Sequence, residues 1–318
     1  MKVSVVVPAF NRANFLRETI ASVLAQTYQN LELVIADDGS TDNTAEIARA
    51  FQDPRLVYLY QDNRGVSAAL NLGWRSARGE SIAVIGSDDV WLPECLQELV
   101  RALEQSPTIG VAYARAQGMN ARGESLPQLV GAREKFPGQT LKSLVYGDFV
   151  CPIAVLIRRD ALERVGGYDE TLIANEDWDV WLRIARAHEI MFVPKILARY
   201  RFHAHNLTRT DSARMEQVML DRVRVLDKFF AQPDIPADVL EIKSLAYRNV
   251  YLDWTIRHLE QRRWHKARQT FQAALSYSPA RLRFLPRAIG VATFTLFLSK
   301  TAWGSRLAEK IVGARQRV

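Results

Sequence analysis

Apolar and polar positions alternate in blocks along the first ninety residues. Residues 2–7 are a β-branched run with no charge after Lys2, the pattern of a strand buried on both faces. Residues 14–26 set Phe15, Ile20, Val23 and Leu24 at helical spacing. A second apolar run, 31–36, closes on Asp37-Asp38-Gly39-Ser40, and residues 41–51 read as a helix entered through Ser, Thr and Asp caps. A strand at 56–60, a helix at 65–77 and a strand at 81–85 follow. Strands alternating with helices predict parallel pairing in an α/β sheet. Beyond Pro93 the pattern predicts a helix at 94–104, a strand at 110–115, an irregular stretch to about residue 140, a short strand at 155–157 and a helix at 177–187. From residue 212 the chain reads as helical, broken near 233–236 and at Pro279. Trp264, Ala267, Phe271, Ala274, Leu275 and Pro279 have the spacing of one tetratricopeptide helix. A lone unit builds no solenoid, so a helical hairpin is expected.

Ligands of such sheets sit outside the carboxyl ends of the strands. Polar clusters fall at those ends: Phe10-Asn11-Arg12, residues 37–40, and Ser87-Asp88-Asp89. Three on one edge say more than any one alone. Asp88 and Asp89 are two adjacent carboxylates, costly to hold together unless a cation or solvent lies between them. Mg²⁺-type ions are held by one or two carboxylates together with substrate phosphates. Taken alone, the pair reads first as a solvated turn with an Asp cap. Asp37 and Asp38 suit a tight turn, or a carboxylate that accepts hydrogen bonds from a nucleotide. Residues 175–179 set three carboxylates beside Trp178 and Trp181, either a candidate general base or an acidic first helical turn favoured by the dipole. The segment Tyr200-Arg201-Phe202-His203-Ala204-His205 offers a metal ligand or phosphate contact, or structural residues; His203 and His205 share a side if it is extended.

Composition narrows the classes. With 318 residues, 48% apolar and 24% charged, the chain is globular rather than disordered or collagen-like. Its length fits one large domain and a smaller one, or two domains. Cys95 and Cys151 make neither a disulfide framework nor a Cys-rich zinc site. The opening run meets Pro8 too soon for a signal peptide, and no run reaches the ~18 apolar residues of a spanning helix. A cytoplasmic chain is expected, with any membrane contact peripheral. Net charge is +7, and residues 212–318 hold 19 Lys/Arg against nine Asp/Glu, so the excess lies in the C-terminal third. That argues against a nucleic-acid groove in the main body and favours an anionic surface, such as a lipid surface, as partner of the tail. Residues 286–300 have an apolar centre flanked by Arg281, Arg283, Arg287, Lys300, Arg306 and Lys310, an interfacial helix or a helix packed on protein.

The segments PAFNR, DDGSTD, NRGVSAALNLG, SDD, GGYDE, NEDWDVWLR and YRFH, in this order over residues 2–209, resemble inverting glycosyltransferases of family 2. The resemblance implies a GT-A fold, a Rossmann-like mixed sheet flanked by helices, over residues 1–211. It does not extend to the basic helical region, 212–318. It further implies that Pro8, Phe10 and Arg12 line the nucleotide pocket, with Phe10 against the base. Asp38 bonds the base, with Asp37 the close alternative. Asn63, Arg64 and Gly65 border the diphosphate and ribose. Asp88 touches ribose or metal, Asp89 and His203 hold Mn²⁺ or Mg²⁺, and Asp177 deprotonates the acceptor hydroxyl. A divalent ion neutralises the leaving diphosphate, and one base with direct displacement inverts the anomeric carbon. Leu70 stands where many relatives carry Arg, so Arg64 or Arg12 takes over a diphosphate contact. The implied partners are a UDP- or dTDP-sugar donor and a glycan or glycolipid acceptor, in surface polysaccharide or glycolipid assembly at the cytoplasmic face of a membrane. An oligomer is left open. A sugar-phosphate nucleotidyltransferase is disfavoured, because PAFNRANF lacks a Gly-rich basic loop. The other alternative is a non-catalytic nucleotide-sugar-binding or scaffold protein of this fold. Asp89, Asp177 and His203 occurring together speak against it.

Overall fold

The computed structural model describes residues 1–204, 206 and 212–277. Contacts divide the chain into two units, residues 1–144 with 148–221, and residues 145–147 with 222 onward.

The first unit begins with β1 (Val3–Ala9), α1 (Leu16–Leu24), β2 (Leu31–Asp38), α2 (Thr44–Arg49), β3 (Leu56–Gln61), α3 (Val66–Ser76) and β4 (Ser81–Val84). It continues through β5 (Val90–Trp91), α4 (Cys95–Leu103), β6 (Ile109–Asn120), β7 (Ser125–Val130) and α5 (Thr140–Tyr146). Then come β8 (Val155–Arg158), α6 (Arg159–Arg164), α7 (Glu176–Ile184), β9 (Glu189–Phe202) and α8 (Ser212–Phe230), within which the unit ends. Among the described residues the nine strands make one sheet in the order β3-β2-β1-β4-β8-β6-β9-β5, with β7 on β6.

The first four strands are parallel, as the alternation predicts. β8 is antiparallel to both β4 and β6, and β9 is parallel to β6. Two reversals therefore point β6 and β9 the same way as β1 to β4, and all their carboxyl ends share one edge. The sheet is mixed and flanked by helices, the fold class expected from the resemblance. Its centre is apolar on both faces: Val3, Val5, Val6 and Val7 of β1 and Leu33 and Ile35 of β2 are fully buried, each worth roughly 1.5–3 kcal/mol. α3 packs on β1 and β2, and α4 packs on β6, β8 and β9. Pro8 pairs with Ala36 of β2, while pairing of β1 with β4 stops at Val6. The strand thus frees its last residues toward the edge where Pro8 lacks a donor.

The stretch expected to be irregular holds the end of β6, all of β7 and the start of α5. The pattern also gave no sign of β5, α6 or the 14-residue β9. β9 escapes because Pro194 and Lys195 interrupt its apolar run, and its register against β6 slips between Tyr113↔Phe192 and Arg115↔Ile196. β7 escapes because it is an exposed strand paired only with β6.

The second unit contains the end of α8, α9 (Ala237–Leu240), α10 (Lys243–Glu260) and α11 (Trp264–Ser276). α10 and α11 pack together as the expected hairpin, turning through Arg262 in a left-handed conformation. Tyr247 and Tyr277 stack at 4.9 Å. Among the described residues no helix is long and apolar enough to cross a membrane. The apolar segment at 286–300 lies outside the described residues.

Candidate active site

The first two strand-end loops are stitched together. The Asn11 N–H donates to Ser40 Oγ (2.9 Å), the Arg12 N–H to Thr44 Oγ1 (2.9 Å) and the Ala13 N–H to Asp42 (3.1 Å). Asn11 returns a bond by accepting from the Thr41 N–H (2.8 Å). Phe10, at the head of this loop, is 43% exposed.

Asp37 and Asp38 are buried, and every carboxylate oxygen accepts at least one hydrogen bond. Asp37 accepts from the Ser40 N–H (2.8 Å) and the Tyr58 hydroxyl (2.6 Å). Asp38 accepts from Gln61 Nε2 (2.6 Å) and from the backbone N–H groups of Arg64 (2.9 Å) and Gly65 (2.7 Å). Asn63, Arg64 and Gly65 thereby become a fixed exposed turn at the start of α3. Gly39 (φ +81°) fits under it, where a Cβ would lie 2.7 Å from the Asn63 nitrogen. The Arg64 guanidinium donates to Glu170 (2.8 Å), and Leu70 is core.

Asp88 and Asp89 follow β4 and converge over Gly86. A Cβ there would meet Asp89 Oδ2 at 2.5 Å and Asp88 Oδ1 at 3.0 Å. Asp88 Oδ2 lies 2.8 Å from His203 Nε2 and accepts from Arg12 Nε (3.2 Å). Burial pushes Asp88 up, but the His203 hydrogen bond and the Arg12 charge outweigh it and hold its carboxyl below the usual range. Burial and the neighbouring Asp88 charge push Asp89 well above that range, against a hydrogen bond from the Arg201 N–H (2.8 Å).

Arg201 binds the cluster together. Its Nε donates to the Asp88 carbonyl (2.7 Å), Nη1 to the Ala121 carbonyl (3.3 Å) and Nη2 to Glu18 (2.5 Å). Its guanidinium lies 4.9 Å from the Phe15 ring centre, and the His203 ring stacks on the same Phe15, also at 4.9 Å. Arg201 and His203 are two apart at the end of β9, so extended geometry brings both to α1. One ionised carboxylate, one carboxyl strained by its neighbour and an imidazole suit a hard divalent cation. A cation would relieve the repulsion that raises Asp89. No group of three or more His, Cys, Asp or Glu among the described residues is already arranged as a metal cage. Such an ion would therefore need oxygens from elsewhere, as substrate phosphates supply.

On the other side of α3, the turn leading to α7 is docked by side chains. Asn71 Nδ2 donates to the Tyr168 carbonyl (2.8 Å) and to Glu170 (2.9 Å), Asn71 Oδ1 accepts from the Tyr168 N–H (3.0 Å), and Ser67 Oγ donates to the Leu172 carbonyl (3.3 Å). Asn175 enters the helix in a left-handed conformation (φ 62°). Asp177 is half-buried in the first turn and accepts from the Trp178 N–H (2.7 Å). Beside it, burial, the charge of Asp177 and then those of Asp221 and Asp148 push Glu176 up to about 8. Asp179 is not part of this group, being paired with Arg183 at 2.6 Å.

The structure thus gathers Arg12, Asp88, Asp89 and His203 into one hydrogen-bonded cluster, and Asp38 with Asn63, Arg64 and Gly65 into another. Asp177 stands on a third element. Arg201 fell within the segment singled out at 200–205, but without its role of binding the cluster together, and Glu18, Phe15, Gln61 and Tyr58 were not anticipated.

The sequence profile of the family described as "Glycosyl transferase family 2" matches residues 4–166. An uncharacterized glycosyltransferase of Rickettsia prowazekii is 32% identical over 225 residues, 68% of each chain. One from Nostoc sp. is 33% identical over 232 residues, 68% of this chain and 70% of its own. Among solved structures, S. aureus TarS 1–349 in complex with UDP has a TM-score of 0.58 at 19% identity, over 82% of this chain and 72% of its own. Mannosyltransferase PcManGT from Pyrobaculum calidifontis, in complex with GDP-Man and Mn²⁺, has a TM-score of 0.63 at 20% identity, over 97% and 83%. These two likenesses are of fold.

Proposed function

We propose a specific reaction for this chain, which belongs to glycosyl transferase family 2 and is a sugar transferase working from a nucleotide-sugar donor. The reaction is metal-assisted transfer to an acceptor hydroxyl with inversion at the anomeric carbon. The observation that carries it is the convergence of Asp88 and Asp89 over Gly86, with His203 and Arg12 on Asp88.

The nucleoside enters between Phe10 and the fixed turn of Asn63, Arg64 and Gly65, with Pro8 and Arg12 beneath. Asp38 and Asp37 act mainly by holding the loops, since their oxygens already carry internal donors; a remaining lone pair of Asp38 is left for the base. Asp89 and His203, with Asp88, would hold Mn²⁺ or Mg²⁺ against the diphosphate, where the ion supplies charge to the leaving group. The Mn²⁺ in the mannosyltransferase of like fold supports that choice. The UDP in TarS supports UDP as the first nucleotide to try, with dTDP second. Asp177 takes the proton of the acceptor hydroxyl. Glu176 keeps its own proton near neutral pH, so the base of the pair is Asp177. The acceptor is a glycan or glycolipid of surface assembly, residues 1–211 carry catalysis, and the basic region after residue 212 meets the membrane.

Calorimetry with UDP, dTDP, GDP, CDP and ADP, with and without Mn²⁺, tests this. One nucleotide should bind in a metal-dependent way, and Asp89→Ala should abolish the metal dependence. Absence of binding by folded protein under every condition would make the non-catalytic scaffold the better reading.

A further inference from the structure

The turn that presents Glu176 and Asp177 is held by helix α8, which lies beyond the end of the family profile at residue 166. Asp221 of α8 is fully buried. Its Oδ2 accepts from the Ile173 N–H (2.9 Å) and the Ala174 N–H (3.2 Å). Its Oδ1 accepts from Gln217 Nε2, one helical turn back (2.9 Å). On that same preceding turn, the Val218 carbonyl accepts from Asn175 Nδ2 (3.0 Å). Three successive residues, 173 to 175, are therefore bonded to α8 immediately before the helix that carries the acid pair. Asn175 adopts a left-handed conformation there, which asparagine takes more readily than most residues, and its side chain is bonded to Val218.

We propose that Asp221 is a positioning residue for the acceptor base: it fixes the 173–175 turn and so sets where Asp177 stands. This rests on the reading of Asp177 as the base, and adds to it a residue that touches neither substrate.

A buried aspartate bonded by two backbone N–H groups and one amide is a sound structural device by itself. Its choice of place is what points further. A carboxylate set beside Glu176 and Asp177 is unfavourable to any ionised neighbour, and an asparagine oxygen would accept the same two N–H bonds. The charge has a consequence that the bonds alone do not. It adds to burial and to the charges of Asp177 and Asp148, with Tyr168 also facing the pair, in keeping the Glu176 proton in place. Geometry and charge act on the same two residues.

The test uses the full chain with Asp221→Asn and Gln217→Ala. The Glu176 carboxyl is titrated by carbon NMR, amide exchange is followed at residues 173 and 174, and UDP is titrated in the presence of Mn²⁺. Asp221→Asn should lower the Glu176 titration and leave UDP affinity within about twofold. Gln217→Ala, which removes only the prop of Asp221, should speed exchange at 173 and 174 at least tenfold with UDP affinity again unchanged. An unmoved titration together with unmoved exchange would overturn the proposal. A fall in UDP affinity parallel to both changes would overturn it too, as the mark of general loosening. Failure of the transferase reading looks different: the wild-type chain would not bind UDP or any other nucleotide, whatever Glu176 does.

Discussion

Two groups of carboxylates in the first unit have opposite surroundings. Around β1 and β2, every acid is met by donors. Glu32 is 3% exposed and accepts from Ser4 Oγ (2.5 Å), Lys2 Nζ (3.1 Å), the Arg78 N–H (2.5 Å) and Arg78 Nε (3.1 Å). Asp37 and Asp38 are satisfied likewise. At the ends of β4 and at α7, acids are placed against other acids: Asp89 against Asp88, and Glu176 against Asp177, Asp221 and Asp148. Burial does not draw this line: Glu32, Asp37 and Asp38 are buried, but so is Asp89, while Asp88, Glu176 and Asp177 are half-buried. Donor supply does. A carboxylate whose lone pairs are filled by the chain holds loops in place, while one set against a like charge has capacity left for a cation or a proton.

The largest expected effect falls on the second group. Asp177→Asn should lower turnover about 10³-fold, roughly 4 kcal/mol of barrier, as for loss of a general base. Metal-dependent nucleotide binding should stay within about twofold of wild type. Turnover within tenfold of wild type would move the base role away from Asp177 and weaken the contrast at its most exposed point. On the first group, Asp38→Ala should act on stability instead. It leaves the Gln61 amide and the N–H groups of Arg64 and Gly65 without their acceptor, which costs roughly 3 kcal/mol. A urea midpoint equal to wild type, with nucleotide binding lost, would mean that Asp38 belongs with the functional acids after all.

This contrast was only half legible in the sequence. The parallel half of the sheet could be read directly, because β1, β2 and β4 are short apolar runs ended by polar clusters. The motifs DDGSTD and SDD located both acid pairs, yet as strings they look alike. What distinguishes them is which donors arrive from far along the chain: Tyr58, Gln61 and the 64–65 backbone at one, Arg201 and His203 at the other. Arg201 and His203 depend on the β9 register, which Pro194 and the charges around it conceal from a periodicity argument. Gly86 needs no strained backbone angle. Its reason to be glycine, the approach of two carboxylates, exists only in three dimensions.

Glu32 gives the comparison a pH signature. Burial pushes its carboxyl up, but the bonds from Ser4, Arg78 and Lys2 prevail and bring it to about 2, against an ordinary 4.5. The folded chain therefore holds this carboxylate ionised where the unfolded chain protonates it. Its contribution is complete above about pH 4.5 and is lost as pH falls toward 2, and integrates to about 3 kcal/mol at most. Glu32→Gln should lower stability by roughly 2 kcal/mol at pH 7 and flatten the acid limb of a stability–pH curve. A variant curve parallel to wild type between pH 5 and 2 would show that these donors are not what sets Glu32 apart.

Glu176 should behave in the opposite sense. Its carboxyl is raised from 4.5 to about 8, so between those values the folded chain binds a proton that the unfolded chain has lost. Stability then falls as pH rises through that window, and is constant below about 4.5 and above about 8. Water reaches the half-buried Glu176 in part, and at least about 1 kcal/mol across the window is expected. Glu176→Gln copies the protonated form without a proton to lose. It should match wild type at pH 4.5 and exceed it by at least about 1 kcal/mol at pH 9, read as the difference in urea midpoints at the two pH values. Equal midpoints at both would mean that Asp177, Asp221 and Asp148 press on Glu176 less than their placement implies, and the acids at α7 would then differ from those at β1 and β2 in their partners only, without a difference in charge state.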